Sequence, residues 1–235
     1  LTIEVLYPEI CNFYGDSQNA EYLKACCPDA TFVYTAFDEV PYFVTDKPDM
    51  ILMGSMSEET QRRVIEKLLH YKSRLSELCR MDTVMLFTGN AADIFCRNID
   101  YVTENIKVEG LGFFDIDART DWFRRVNGKL IGKAGCNIVV GFRSQFAEYI
   151  GDNSHCYFIE CERGFGLNEN SQYEGMRKNN LICTQLLGPI LPLNPSFTEY
   201  LLRLAGSKDE AAFREEALEA YRKRVEEFRN PDTVF

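Results

Sequence analysis

The stretch Asp82-Thr83-Val84-Met85-Leu86-Phe87-Thr88-Gly89-Asn90-Ala91-Ala92-Asp93-Ile94-Phe95-Cys96 decides the fold. Its first part, to Phe87, is an apolar run of strand length, rich in residues that suit a buried sheet. Thr88-Gly89-Asn90 is a sharp exit, and Ala91 to Cys96 reads as the start of a helix. A side chain on such a turn stands above the carboxyl end of a sheet. Backbone N–H groups and a helix N-terminus there face any developing oxyanion.

Working outward, Thr2 to Tyr7, Thr31 to Phe37 and Asp49 to Met53 read as strands, and Asp16 or Ser17 caps a helix to about Cys26. A long helix follows Ser55, whose spacing to Glu58 matches a capping box. Val64, Leu68, Leu75 and Leu78 give it a core-facing stripe. From Val108 to about Thr184, short strands alternate with glycine-containing turns, which indicates an antiparallel extension. Two helices close the chain, one from Asn194-Pro195 to Gly206 and one from Lys208 to about Arg229. The alternation of strands and helices specifies an α/β fold with a mostly parallel sheet flanked by helices. We expect one domain over residues 1–206, with residues 207–235 as an amphipathic helix packed on it through Leu218, Tyr221, Val225 and Phe228. The same stripe offers a partner surface as the alternative.

Composition removes several functions. The net charge of −10 over 235 residues, with no basic run, argues against nucleic-acid binding. No apolar stretch has the length of a membrane span and no signal-peptide pattern opens the chain, so a cytoplasmic location is expected. Nine cysteines are an odd number, and several sit in apolar runs, where a reduced thiol packs as a small hydrophobe. Cys96, Cys136 and Cys183 read as core thiols. Cys156 and Cys161 lack zinc-knuckle spacing and the only histidines are His70 and His155, so neither a metal nor a cofactor is expected. A pairing of His155 with Cys11, Cys96 or Cys136 stays open, Asp115 and Asp117 read as the end of a strand, and Asn12, Asp16 and Asn19 cluster at the first strand–helix turn. There they serve as caps or touch a ligand or partner.

Four motifs in order carry a resemblance. They are Tyr7-Pro8-Glu9-Ile10-Cys11-Asn12-Phe13-Tyr14-Gly15-Asp16-Ser17-Gln18-Asn19, then Gly110-Leu111-Gly112-Phe113-Phe114-Asp115, then Gly141-Phe142, and last the run Thr184-Gln185-Leu186-Leu187-Gly188-Pro189-Ile190-Leu191-Pro192-Leu193-Asn194-Pro195. Together they resemble class I glutamine amidotransferases of the cobyric-acid-synthase (CobB/CobQ) and GatD type, which implies a flavodoxin-like sheet. The resemblance also implies glutamine hydrolysis by an elbow cysteine and a histidine, with ammonia passed to a synthetase. For the GatD type that partner is a Mur-ligase-like, MurT-type protein.

Thr88 falls where the family carries cysteine, and Leu187 where it carries histidine. Gly54, Ser55, Gly89 and Asn90 fall in the oxyanion region. Arg143, Ser144 and Gln145, with Glu148, fall where the family tends to carry glutamate, histidine and a nearby arginine. These substitutions imply a subunit that keeps the fold and the docking surface without the hydrolysis. The alternatives are an active glutaminase serving cell-wall (lipid II) or cobalamin-type biosynthesis, and a module holding a glutamine-like small ligand in the altered pocket. Thr88 itself is a poor nucleophile without a neighbouring base. Asn12, Asp16 and Gln145 are the candidate ligand or partner contacts.

Overall fold

The computed structural model describes residues 1–235. Its centre is a six-stranded sheet built from β1 (Thr2–Leu6), β2 (Thr31–Thr35), β3 (Met50–Met53), β4 (Val84–Thr88), β13 (Met176–Lys178) and β14 (Leu181–Thr184). The strand order is β13-β14-β4-β3-β1-β2, parallel throughout except for the edge strand β13. Every residue of β3, β4 and β14 is buried, as the continuous apolar runs require when helices cover both faces.

Four helices serve this sheet in its first half: α1 (Ser17–Cys26), the single turn α2 (Tyr42–Thr45), α3 (Glu58–Leu69) and α4 (Lys72–Arg80), which follows directly on α3. The long helix expected after Ser55 is thus two, broken at His70-Tyr71. Its cap is Ser57, whose hydroxyl accepts from the Thr60 N–H at 3.1 Å. Ser55 is turned away into the sheet's carboxyl end, so the Ser55–Glu58 spacing was a misleading match.

The stretch after β4 also departs from expectation. Gly89–Phe95 winds as a 3-10 helix, not as the start of an α-helix. Its carbonyls are taken from outside: Ile94 O accepts from the Leu111 N–H at 2.7 Å, and Phe95 O from the Phe113 N–H at 3.0 Å. The Gly110–Phe114 motif therefore terminates this helix by satisfying its free carbonyls.

The antiparallel extension consists of two four-stranded sheets. One has the order β10-β7-β5-β6, from β5 (Asn98–Tyr101), β6 (Ile106–Glu109), β7 (Asp117–Thr120) and β10 (Ala147–Ile150); its β5–β7 pairing is parallel. The other has the order β12-β11-β8-β9, from β8 (Val126–Ala134), β9 (Asn137–Gln145), β11 (Ile159–Arg163) and β12 (Tyr173–Glu174). Cys136 lies exposed in the β8–β9 turn, not in a buried strand, because only two residues join that hairpin. Asp117 opens β7 and, with Asp115, pairs with Arg97, so the two carboxylates share a guanidinium.

The chain ends with α5 (Pro195–Leu204) and α6 (Arg214–Arg229). The last helix begins six residues later than its sequence pattern suggests, and it lies on β8 and β9. Phe228 is buried there with Ile131 and Val140, flanked by Tyr221, Val225 and Phe235. No helix is long and apolar enough to cross a membrane.

Candidate functional site

The carboxyl ends of β1, β3, β4 and β14 converge on one carboxylate. Asp16 sits at the start of α1 but does not cap it; the Ser17 N–H is taken by Asn12 Oδ1 at 2.9 Å. The Asp16 side chain points inward. Its Oδ2 accepts from the Ser55 hydroxyl at 2.7 Å, and its Oδ1 from the Thr88 hydroxyl at 2.7 Å and the Gly188 N–H at 3.2 Å. The approach is close enough to demand glycine on both flanks: a Cβ at Gly54 would lie 2.1 Å from Asp16 Cβ, and one at Gly188 2.3 Å from Oδ1. Three of the loops singled out in the sequence thus meet at a buried side chain that the sequence reads as a cap or as a ligand or partner contact.

Thr88 is in ordinary extended backbone, with its hydroxyl committed to Asp16 and 1 % of its surface exposed. The turn residue in the left-handed region is Gly89, at φ +58°, a conformation that strains any residue but glycine. A nucleophile held on an elbow stands at such a position. Gly89 has no side chain, and a Cβ built there would come within 2.7 Å of Ser55 Cβ. Asn90 fastens the loop after β3 to the elbow: its Oδ1 accepts from the Met56 N–H at 2.9 Å and its Nδ2 donates to Met56 O at 2.7 Å. That N–H is therefore engaged with protein and not directed at a reacting oxygen.

Above the elbow lies a cleft lined by Ser55, Asn90, Asp93, Gln145, Gln185 and Leu187, together with Phe13, Tyr14 and Arg125. Gly54, Asp16 and Thr88 line a smaller, separate cavity beneath the loop, and Asn12 lines neither. Gly89 lines neither as well, so the candidate oxyanion and ligand residues do not share one space.

Asp93 organises the floor of the larger cleft. Its Oδ1 accepts from the Tyr149 hydroxyl at 2.8 Å and from Gln185 Nε2, and its Oδ2 from Gln61 Nε2 at 3.0 Å. Gln61 is oriented in turn by the Tyr101 hydroxyl at 2.6 Å. Burial pushes the Asp93 carboxyl up to about 7, against the lowering effect of these three donors. This network was not legible in the sequence. Asp93 reads there as one polar residue on a helix, and Gln185 as a member of a motif.

No cysteine or histidine lines the cleft. Cys11, Cys96 and Cys183 are buried, and desolvation raises each thiol, the opposite of what an attacking thiolate needs. His155 lies in an exposed turn and makes no hydrogen bond to a cysteine; His70 Nδ1 contacts Glu66 O at 2.9 Å in the α3 end.

With the geometry in place, known proteins supply a context. A solved glutamine amidotransferase structure superposes with a TM-score of 0.56, covering 87% of this chain and 99% of that one at 12% identity. A second, from Thermotoga maritima, gives 0.51 over 95% and 92% at 8% identity. The fold is that of the glutamine amidotransferases. In sequence, the amidotransferase-like chain is similar to the GatD subunit of the glutamine-hydrolysing lipid II isoglutaminyl synthase of Staphylococcus aureus (strain N315). The two are 26% identical over 211 residues, 87% of this chain and 84% of that one. No protein-family model matches the amidotransferase-like chain.

Proposed function

We propose that this chain is a non-catalytic amidotransferase-like subunit, which docks on and scaffolds or regulates a synthetase of the Mur-ligase-like class without supplying it with ammonia from glutamine. The observation that carries this reading is the elbow. Its left-handed turn residue is Gly89, which lacks a side chain and has Ser55 in the space a side chain would take. Thr88 next to it is held by Asp16, an acceptor of its hydroxyl proton, but the hydroxyl is buried away from the cleft that Leu187 lines. Acyl transfer from an amide needs a nucleophile, a base and free oxyanion donors in one space. Here none of the three is assembled. The similarity to a protein named as a synthase subunit supports the partner class.

The test is ammonia release from glutamine by the purified chain, compared with Thr88→Cys/Leu187→His and with Gly89→Cys/Ser55→Gly/Leu187→His. The natural chain is expected to release none. Gain of turnover in the second variant, not the first, would locate the lost nucleophile at the left-handed turn. Sustained turnover by the natural chain, abolished by Thr88→Ala, would overturn the proposal.

A further inference from the structure

The Gly110–Phe114 loop does more than end the 3-10 helix. It also forms one wall of a groove completed by α4 and the end of β13. Lys72, Ser76 and Arg80 line the groove from the helix, Lys178 from the strand, and Leu111 and Phe113 from the loop. None of its lining residues belongs to the cleft above the elbow.

Helix geometry makes the cationic wall. Lys72, Ser76 and Arg80 are spaced i, i+4 and i+8, which sets them one above another on a single face of α4. Leu75, Leu78 and Cys79 take the core side of that helix. Arg80 Nη1 donates to Ser76 Oγ at 2.9 Å, which draws the guanidinium back along the stripe. At the other end, Lys72 Nζ lies 3.7 Å from where a Cβ at Gly112 would stand, so the ammonium is laid against the loop. Lys178 meets the helix from β13: its carbonyl accepts from Cys79 Sγ at 3.4 Å. Burial raises the Cys79 thiol, while the Lys178 and Arg80 charges both act to lower it, so the two cations flank one atom.

These charges are uncompensated. Acids outnumber bases in the chain by 36 to 26, yet no acid lines this groove. Arg74, on an adjoining face of α4, is paired with Glu77 at 2.7 Å. Lys72, Arg80 and Lys178 pair with no carboxylate. Asp82, which also acts on Cys79, is outside the groove. Three like charges held on two elements repel one another, and an anion between them removes that repulsion.

We propose that this groove is a binding site for a small polyphosphate anion, a di- or triphosphate group, lying along α4 between Lys72 and Arg80 and facing Lys178. The Cα atoms of Lys72 and Arg80 are ~12 Å apart, eight residues at the helical rise. With a long side chain reaching inward from each end, that span suits a chain of two or three phosphates and exceeds a single one. Ammonium and guanidinium groups donate to phosphate oxygens, and the Ser76 hydroxyl supplies a further donor. Leu111 and Phe113 make the facing wall apolar, so the charges act through a lower dielectric than on an open surface. The inference goes beyond the non-catalytic reading and does not depend on it, since the groove is apart from the elbow.

The experiment is isothermal titration of the full chain with sodium tripolyphosphate, beside inorganic phosphate and sodium chloride at matched ionic strength. Tripolyphosphate is expected to bind saturably at one site, with phosphate at least about tenfold weaker and chloride silent. Lys72→Gln and Lys178→Gln, neither of them in the core, should each weaken tripolyphosphate about tenfold, the scale of one hydrogen bond between charged groups. Lys223→Gln on α6 should leave the affinity unchanged. Absence of saturable binding, equal affinity for phosphate, or equal weakening by Lys223→Gln would overturn the site. So would unchanged affinity in either groove variant. Ammonia release from glutamine is scored separately, so failure of the non-catalytic reading leaves this result intact.

Discussion

At the scale of the residue, Asp16 and Asp93 show what a sequence conceals about acids. Both sit where a helix starts or runs, and polar residues there usually cap or face water. Both are instead buried acceptors, Asp16 of four hydrogen bonds and Asp93 of three. Removing Asp16 as Asp16→Ala would orphan the Ser55 and Thr88 hydroxyls and the Tyr14 and Gly188 N–H groups, at about 1–3 kcal/mol for each group left buried and unsatisfied. We expect a loss on the order of 3 kcal/mol in urea unfolding, with Asn12→Ala costing about 1 kcal/mol as a capping change. Asp93 carries a pH signature. Its carboxyl rises from 3.8 to about 7 on folding, so between those values the folded state keeps a proton that the unfolded chain has released. Its contribution to stability is therefore full below pH 3.8, falls as pH rises, and reaches its minimum above about 7. Asp93→Asn should flatten the fall in unfolding free energy between pH 5 and 8 relative to the natural chain. An unchanged slope would show that Asp93 is ionised throughout.

At the scale of the element, the strands were readable because burial on both faces leaves an apolar run that little else explains. β14 is the exception: the sequence pattern assigns it to the antiparallel extension, whereas it pairs parallel with β4 inside the central sheet. Helix termini were less readable, since their limits depend on partners far away in sequence. The 3-10 helix Gly89–Phe95 ends where Leu111 and Phe113 take its carbonyls, and α3 is capped by Ser57 while Ser55 bonds Asp16. Of the α6 stripe, Tyr221, Val225 and Phe228 pack on β8 and β9 and Leu218 is not among them, and the helix starts later than the pattern suggests. Phe228 anchors it: the ring packs on Ile131 and Val140, and Arg163 Nη1 donates to its carbonyl at 2.7 Å. Phe228→Ala removes a fully buried aromatic and is expected to cost about 3 kcal/mol. Hydrogen exchange should show α6 and the β8–β9 amides opening first in that variant. If α6 instead belongs to a partner surface and is loose here, the substitution will leave both stability and exchange unchanged.

At the scale of the whole molecule, the cleft exists because three sheets are tied by a buried polar path. Arg143 on β9 lies 3.5 Å from Glu174 on β12, each almost wholly buried. Glu174 accepts from the Thr184 hydroxyl and the Gln185 N–H, and the Gln185 side chain continues to Asp93 and Tyr149. The pair is not an ideal one. Burial lowers the Arg143 guanidinium and raises the Glu174 carboxyl, each working against its charged form, and Arg143 Nε and Nη2 make no hydrogen bond. Such a pair adds little net stability, yet breaking one side strands a charge in a low dielectric. Arg143→Met alone should therefore cost about 3 kcal/mol or more, by leaving Glu174 uncompensated. Glu174→Gln keeps an acceptor for Thr184 and Gln185 while removing the charge, so Arg143→Met/Glu174→Gln should be more stable than Arg143→Met. A double-mutant cycle in urea should return a coupling of at least about 1 kcal/mol between the two positions. A strictly additive cycle would mean that the two charges do not sense each other. The sheets would then be joined by packing and by the Gln185 bonds alone, and the cleft's floor would owe nothing to the ion pair behind it.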